Sequence, residues 1–249
     1  MAPMILALML ALTAIAAPTE RERKVAVFVH GAGGGGWEWN SWTPVFEKAG
    51  WQCIAEDLVP VKQGVAKTTF HDYLSQVEHW GDDARPGKLV LIGASMGGIL
   101  ALKASERLKP DALVLVNSVG PAGIDKRPAK TYPPIIEWTK GTLKETQDSM
   151  PESDEATIQF AFHHWRDESG AVLTEIRKGI RVKPPQCPLL VVLGGKDTDV
   201  PNEVGQTMAK TYRGELKVYP DMSHVGPLLG TKGPDVAADV LAWLDLKIR

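Results

Sequence analysis

Gly93-Ala94-Ser95-Met96-Gly97 stands at the join of two periodicities, and that position decides the fold. Upstream, Lys88-Leu89-Val90-Leu91-Ile92 is a short apolar run of the buried-strand type. Downstream, Ile99, Leu100, Leu102, Ala104 and Leu108 recur at helical spacing. Ser95 therefore falls at a strand-to-helix turn. Where a strand passes that sharply into a helix, the residues flanking the Ser must be small, and the hydroxyl is held out beside a helix N-terminus. Outside such a setting Gly-x-Ser-x-Gly is a common Gly-rich turn with no chemistry. Within it, the pattern reads as a nucleophile elbow, and a base, an acid and an oxyanion hole are needed elsewhere in a workable order.

A candidate oxyanion loop lies before it. Lys24-Val25-Ala26-Val27-Phe28-Val29 is a β-branched, apolar strand running into His30-Gly31-Ala32-Gly33-Gly34-Gly35-Gly36. So much glycine lets the backbone approach a ligand and leaves N–H groups free to point into a cleft. A dinucleotide loop would need Gly-x-Gly-x-x-Gly opening a helix, with a ribose-binding acid further on; here Trp37-Glu38-Trp39 follows instead. No Gly-Lys-Ser/Thr occurs, which excludes a P-loop. His30 precedes Ser95 and reads as a structural hydrogen-bonding residue, because the order for this kind of site is Ser, acid, His.

Acid and base follow in that order. Pro188-Leu189-Leu190-Val191-Val192-Leu193 is a further buried strand, and Asp197 comes just past its end, on the edge where open α/β sheets place their sites. Asp199 begins the next helix, where an acid commonly serves the helix dipole; Asp221 reads as a turn residue. After the strand Leu216-Lys217-Val218-Tyr219 comes His224, the only His beyond Asp197. A Ser hydroxyl is a poor nucleophile at neutral pH, and an imidazole titrating near neutrality can take its proton and later hand it to the leaving group. A carboxylate on the far ring nitrogen fixes the tautomer.

His30-Gly31, the elbow around Ser95, Asp197 with Val200-Pro201, and His224 together resemble the α/β-hydrolase superfamily in its short, cofactor-free esterase branch. The stretch from His30 through Trp37-x-Trp39 is similar to the small plant methylesterases and their hydroxynitrile-lyase relatives. The resemblance implies oxyanion donors at the backbone N–H of Ala32 and Met96, and no cofactor. The lyases carry Thr and Lys where this chain has Gly31 and Val225, which argues against lyase chemistry. Ser95 likewise argues against dehalogenases and epoxide hydrolases of that fold, which use an Asp nucleophile.

At 249 residues and 44% hydrophobic content the chain can bury a full core. A net charge of -2 gives no electrostatic case for nucleic acid. Met4 to Leu12 is an apolar run, followed by small residues and then charged Glu20 to Lys24, so residues 1–17 read as a secretory signal peptide cleaved after Ala16 or Ala17. That expectation places the protein outside the cytoplasm, secreted or periplasmic. The alternative is a cytoplasmic protein with an uncleaved N-terminal helix. The run is too short for a stable membrane span. Of the two cysteines, Cys53 falls on the strand after the first helix and Cys187 just before the strand leading to Asp197; those strands are expected to be well separated, and both cysteines read as buried free thiols. No His or Cys pair has metal-site spacing.

Six predicted strands alternate with helices, indicating an α/β fold: a mostly parallel sheet with helices on both faces, formed by residues 24–120 and 186–249. The last helix, from about Pro234, should pack on the sheet through Val236, Val240, Trp243 and Leu244. Between them, residues 121–185 break the alternation with prolines and then helical patterns at Ile158, Ala161, Phe162, Trp165 and at Leu173, Ile176, Ile180, with Ser153 as the expected N-cap of the first. An insert at this point is expected to form a helical cap over the site. Gly33, Trp138, Phe162 and Trp165 are the expected substrate contacts; each aromatic has a competing role in the cap's own core. The expected chemistry is hydrolysis of a small, largely apolar ester by Ser95, His224 and Asp197. The alternatives are a lactonase or amidase with the same residues, or a weakly catalytic small-molecule receptor.

Overall fold

The computed structural model describes residues 23–84 and 87–248, so the apolar N-terminal run and its expected cleavage site lie outside the described residues. In chain order the main sheet takes β1 (Lys24–Val29), β2 (Trp51–Ile54), β3 (Lys88–Ala94) and β4 (Ala112–Val116). A two-residue antiparallel ribbon, β5 (Ile135–Ile136) with β6 (Glu168–Ser169), follows, and β7 (Leu189–Gly194) and β8 (Glu215–Tyr219) return to the sheet. The helices are α1 (Thr43–Lys48), α2 (Phe70–Asp83), α3 (Met96–Leu108), α4 (Leu143–Ser149), α5 (Glu155–His164), α6 (Gly170–Lys178), α7 (Asn202–Tyr212), α8 (Gly226–Leu229) and α9 (Gly233–Lys247).

The six main strands are all parallel, in the order β2-β1-β3-β4-β7-β8. Their side chains alternate between two cores. Val25, Val27, Val29, Leu89, Leu91 and Leu113 pack on one face, under apolar residues of α2, α3 and α7. Ala26, Phe28, Val90, Ile92 and Val114 pack on the other, against α1, α9 and the buried Trp39 and Trp42. Strands buried on both faces read as continuous apolar runs, which is why these segments were recognisable. In-phase register, with Val29 beside Gly93, Ala94 beside Val116 and Gly194 beside Tyr219, brings the C-terminal ends of β1, β3, β7 and β8 to one edge. There the loops after these strands meet, at the crevice that parallel sheets offer to ligands.

Several local expectations are corrected. Asp154, not Ser153, caps α5: its carboxylate accepts from Thr157 N–H at 2.7 Å, while the Ser153 hydroxyl donates to the Leu229 carbonyl. Both cysteines are free but only partly buried. Between β4 and β7 lie α4, α5, α6 and the ribbon, in which Ile135 pairs with Ser169 and Ile136 with Glu168. Two-residue strands so far apart in sequence leave no periodicity to detect. Among the described residues no helix is long and apolar enough to cross a membrane.

Candidate active site

β3 ends at Ala94, and Ser95 turns the chain into α3 with φ 51° and ψ −117°. A non-Gly residue there costs about 1–3 kcal/mol, held by surrounding structure. The surroundings supply that hold: Ser95 N–H donates to the Val116 carbonyl at 3.0 Å, and the Ser95 carbonyl accepts from Gly98 and Val119 at 3.1 and 3.2 Å. A Cβ on Gly97 would overlap the carbonyl oxygens of Val29 and His30, and one on Gly93 would overlap that of Gly97. Both glycines are therefore steric requirements of the turn. At the start of α3 the Met96 N–H has no acceptor among the described residues, as expected of a first-turn amide beside the positive end of the helix dipole.

The glycine loop presents a second such amide. His30 is buried, and its Nε2 accepts from Leu58 N–H at 2.9 Å and from an Arg166 guanidinium N–H at 3.2 Å. The ring proton is thereby assigned to Nδ1, which donates to the Gly31 carbonyl at 2.7 Å. That grip turns the Gly31–Ala32 peptide so that its carbonyl faces His30, and the Ala32 N–H is left with no acceptor among the described residues. Burial drives the His30 pKa down to about 4, opposed by the Gly31 hydrogen bond and aided by the Arg166 charge, so the ring is neutral. His30 thus has the structural role that its place in the chain suggested.

Asp197 follows β7 in a tight turn and is almost wholly shielded, its side chain 1% exposed. Oδ1 accepts from Asp199 N–H at 2.8 Å and Val200 N–H at 3.0 Å; Oδ2 lies 2.8 Å from His224 Nδ1. Asp221 instead pairs at the surface with Lys196, and Asp199 lines the cavity. Burial pulls the His224 pKa down, but the hydrogen bond and charge of Asp197, with Asp199 and Glu38 beyond, outweigh it and leave His224 above its ordinary value. Ser95 and His224 line one cavity of about 930 Å³, together with Ala32 and Met96. Among the described residues no hydrogen bond joins the Ser95 hydroxyl to the His224 ring, which is common at such sites before a substrate tightens them.

Of the expected substrate contacts, Trp138 and Trp165 line this cavity. Phe162 does not: it is half-buried on α5 with its ring against His163. Trp165, the C-cap of α5, still donates its N–H to the Ala161 carbonyl at 2.9 Å, and its ring packs edge-on against Trp37 rather than beside Phe162. Gly33 does not line the cavity either. With φ 71° it forms the seat of Trp138, and a Cβ would overlap the indole ring.

Other residues that the sequence did not single out hold the site together. Asn117, left-handed at φ 43° after β4, donates Nδ2–H to the His224 carbonyl at 2.6 Å and accepts Gly194 N–H at 2.8 Å, so one side chain joins the loop after β8 to the end of β7. Left-handed backbone at a non-Gly residue favours Asn, which was the available clue. Glu152 accepts both the N–H and the hydroxyl of Ser223, tying the segment between β4 and β7 to the loop after β8. Arg166 donates its own N–H to the Gly33 carbonyl and its Nε–H to the Gly34 carbonyl, each at 2.7 Å, while Nη1 pairs with Asp57. Buried Glu168 accepts from Gly33 N–H and from the Tyr73 hydroxyl. The segment between β4 and β7 therefore holds the glycine loop through Arg166 and Glu168, two positions apart.

Residues 26–240 match the alpha/beta hydrolase family. Among solved structures, polyneuridine aldehyde esterase is similar over 88% of this chain and 100% of its own, at 19% identity and a TM-score of 0.68. A methylesterase from Arabidopsis is similar over 90% of this chain and 99% of its own, at 18% identity and a TM-score of 0.70. Methylketone synthase I from tomato, complexed with 2-tridecanone, is similar over the same shares at 17% identity and a TM-score of 0.72. At these identities the likeness is one of fold. No curated protein matches the sequence.

Proposed function

The chain belongs to the alpha/beta hydrolase family, and from that premise we propose that it hydrolyses an ester of a small, largely apolar substrate through an acyl-enzyme on Ser95. The observation that carries this reading is the strained elbow, which presents Ser95 to the cavity that also receives the Asp197-bonded ring of His224. His224 Nε2 takes the hydroxyl proton as Ser95 Oγ attacks the ester carbonyl. The tetrahedral oxyanion is held by the N–H groups of Ala32 and Met96, both of which lack an acceptor among the described residues. The imidazolium, stabilised by Asp197, then protonates the departing alcohol. A water, deprotonated by the same ring, attacks the acyl carbonyl and releases the acid.

Apolar parts of the wall support an apolar substrate: Trp138, Trp165, Leu173, Ile176 and Val200 line the same cavity as Ser95, and the volume suits a small molecule. Ester chemistry is also what the names of the esterase and methylesterase neighbours state of those proteins. Because the ring must be neutral to act as base, activity falls as pH drops through the raised pKa of His224.

A fluorophosphonate is expected to label Ser95 covalently, with labelling lost in Ser95→Ala and strongly reduced in His224→Ala. Labelling of a different Ser, or none in folded protein, refutes the assignment. Steady-state turnover of short p-nitrophenyl esters, compared with the single-turnover burst, separates a hydrolase from a receptor, which would give a burst alone.

A further inference from the structure

Glu38 is a buried ionisable group on the cavity wall that the scheme above does not use. It comes from the 3-10 turn Gly36–Trp39, and its side chain curls back beneath the glycine loop, leaving 4% of the residue exposed. Oε2 accepts the Gly31 N–H at 2.9 Å. Oε1 lies against Gly34, where a Cβ would overlap it, and has no hydrogen-bond partner among the described residues; it is not sealed away from the cavity that Glu38 lines. A Cβ built on Gly31 would lie 3.5 Å from both Glu38 Oε2 and the Ser95 Cβ, so the carboxyl and the Ser95 side chain border the same side of Gly31, and both residues line the cavity. The nearby Arg166 guanidinium makes no hydrogen bond to it, being engaged by the Gly34 carbonyl, His30 and Asp57.

A buried carboxylate with one N–H donor and no ion pair is poorly compensated, whereas a neutral acid needs only one partner per oxygen. Because Oε2 is occupied as an acceptor, the proton of the neutral acid belongs on Oε1. We propose that Glu38 works as a neutral carboxylic acid, donating its Oε1–H from the cavity wall to an oxygen of the reacting ester, and that its ionisation withdraws this support. The inference rests on the Ser95 reading. Burial pushes the Glu38 pKa up to about 7, against the Gly31 hydrogen bond and the charges of His224, from the loop after β8, and Arg166, from the cap; Asp57, from the loop after β2, adds to the rise. Above that pH the group becomes a negatively charged acceptor beside a developing oxyanion, opposing the reaction it had assisted.

The test is the pH dependence of kcat/KM for a short p-nitrophenyl ester in wild type, Glu38→Gln and Glu38→Leu. The Gln side chain keeps an acceptor for Gly31 N–H and a donor toward the cavity, but does not ionise. Wild type is expected to lose kcat/KM above pH 7, so the ratio of Glu38→Gln to wild type climbs by up to about tenfold per pH unit between 7 and 9. Glu38→Leu should fall below Glu38→Gln at every pH. A ratio that stays constant with pH, or equal activity of the two variants, overturns the proposal. An infrared difference spectrum of the protein between pH 6 and 8 gives a second measurement, independent of turnover. A protonated carboxyl C=O band present at pH 6 and absent from Glu38→Gln supports the neutral acid, and its absence from wild type refutes it. Fluorophosphonate labelling of Ser95 in the same samples separates failure of this inference from failure of the Ser95 assignment.

Discussion

Replacing Asp197 by Asn changes one atom and, by the geometry of its turn, reverses the polarity of the bond to His224. Oδ1 receives two backbone N–H groups, from Asp199 and Val200, so the amide that replaces the carboxylate must keep its oxygen there. Its NH₂ then occupies the Oδ2 position, 2.8 Å from His224 Nδ1, and has to donate. The ring proton is driven to Nε2, the atom that must be free to accept from Ser95. Flipping the amide to escape would set an NH₂ against two N–H groups, at a cost of about 1–3 kcal/mol for each lost bond. Fold and cavity should be unchanged, while kcat for a p-nitrophenyl ester drops by about 10⁴-fold, or about 5 kcal/mol in the barrier. Asp199→Asn, whose side chain lines the cavity with no hydrogen bond to His224, should lose far less. The assay is steady-state kinetics on both variants, with thermal unfolding alongside to verify that each is folded. An Asp197→Asn enzyme within tenfold of wild type, or an equal loss in Asp199→Asn, would refute the reasoning.

Gly97→Ala should destabilise the protein by about 1–3 kcal/mol or more, because its methyl group would meet the fixed carbonyls of Val29 and His30; denaturant unfolding measures this. Gly33→Ala places a Cβ in the Trp138 ring at a φ of 71°, so Trp138 must leave its seat, and the expected result is a raised KM for apolar esters with a smaller change in kcat. Stability should report the two buried titrations separately. His30, lowered to about 4, makes folding stability rise with pH between about 4 and 6.5, since only the unfolded chain is protonated there. Glu38, raised to about 7, makes it fall between about 4.5 and 7, since only the folded chain is protonated. The two slopes oppose one another in wild type. In Glu38→Gln the second disappears, and stability relative to wild type should increase by about 3 kcal/mol from pH 4.5 to 7. Urea unfolding at the two pH values checks it, and a difference independent of pH would show that Glu38 is already ionised in the folded protein.

The readings that came directly from the chain were those carried by local pattern. Strands buried on both faces are continuous apolar runs, and the elbow is a short segment whose small residues are demanded by neighbours one or two positions away. The pairing of Asp197 with His224 was accessible for a related reason: both follow strand ends, and a parallel sheet brings those ends to one edge. Phe162 and Trp165 show the limit of local pattern: both fit one helical spacing, but Trp165 packs on Trp37 and lines the cavity while Phe162 sits against His163, a difference set by neighbours from other segments.

By itself, then, the sequence determined the parallel sheet, the turn at Ser95 and the order in which Ser95, Asp197 and His224 follow their strand ends, because each depends on residues adjacent in the chain or on strand ends that topology must gather. Tertiary structure alone decided which donors face the cavity and what holds them. Asn117 joins the loop after β8 to the end of β7, Arg166 and Glu168 reach back from the segment between β4 and β7 to the glycine loop, and Glu38 is buried on the cavity wall without an ionic partner among the described residues. Hydrogen-bond partners and desolvation are properties of surroundings, and a side chain acquires its surroundings only when the chain has folded.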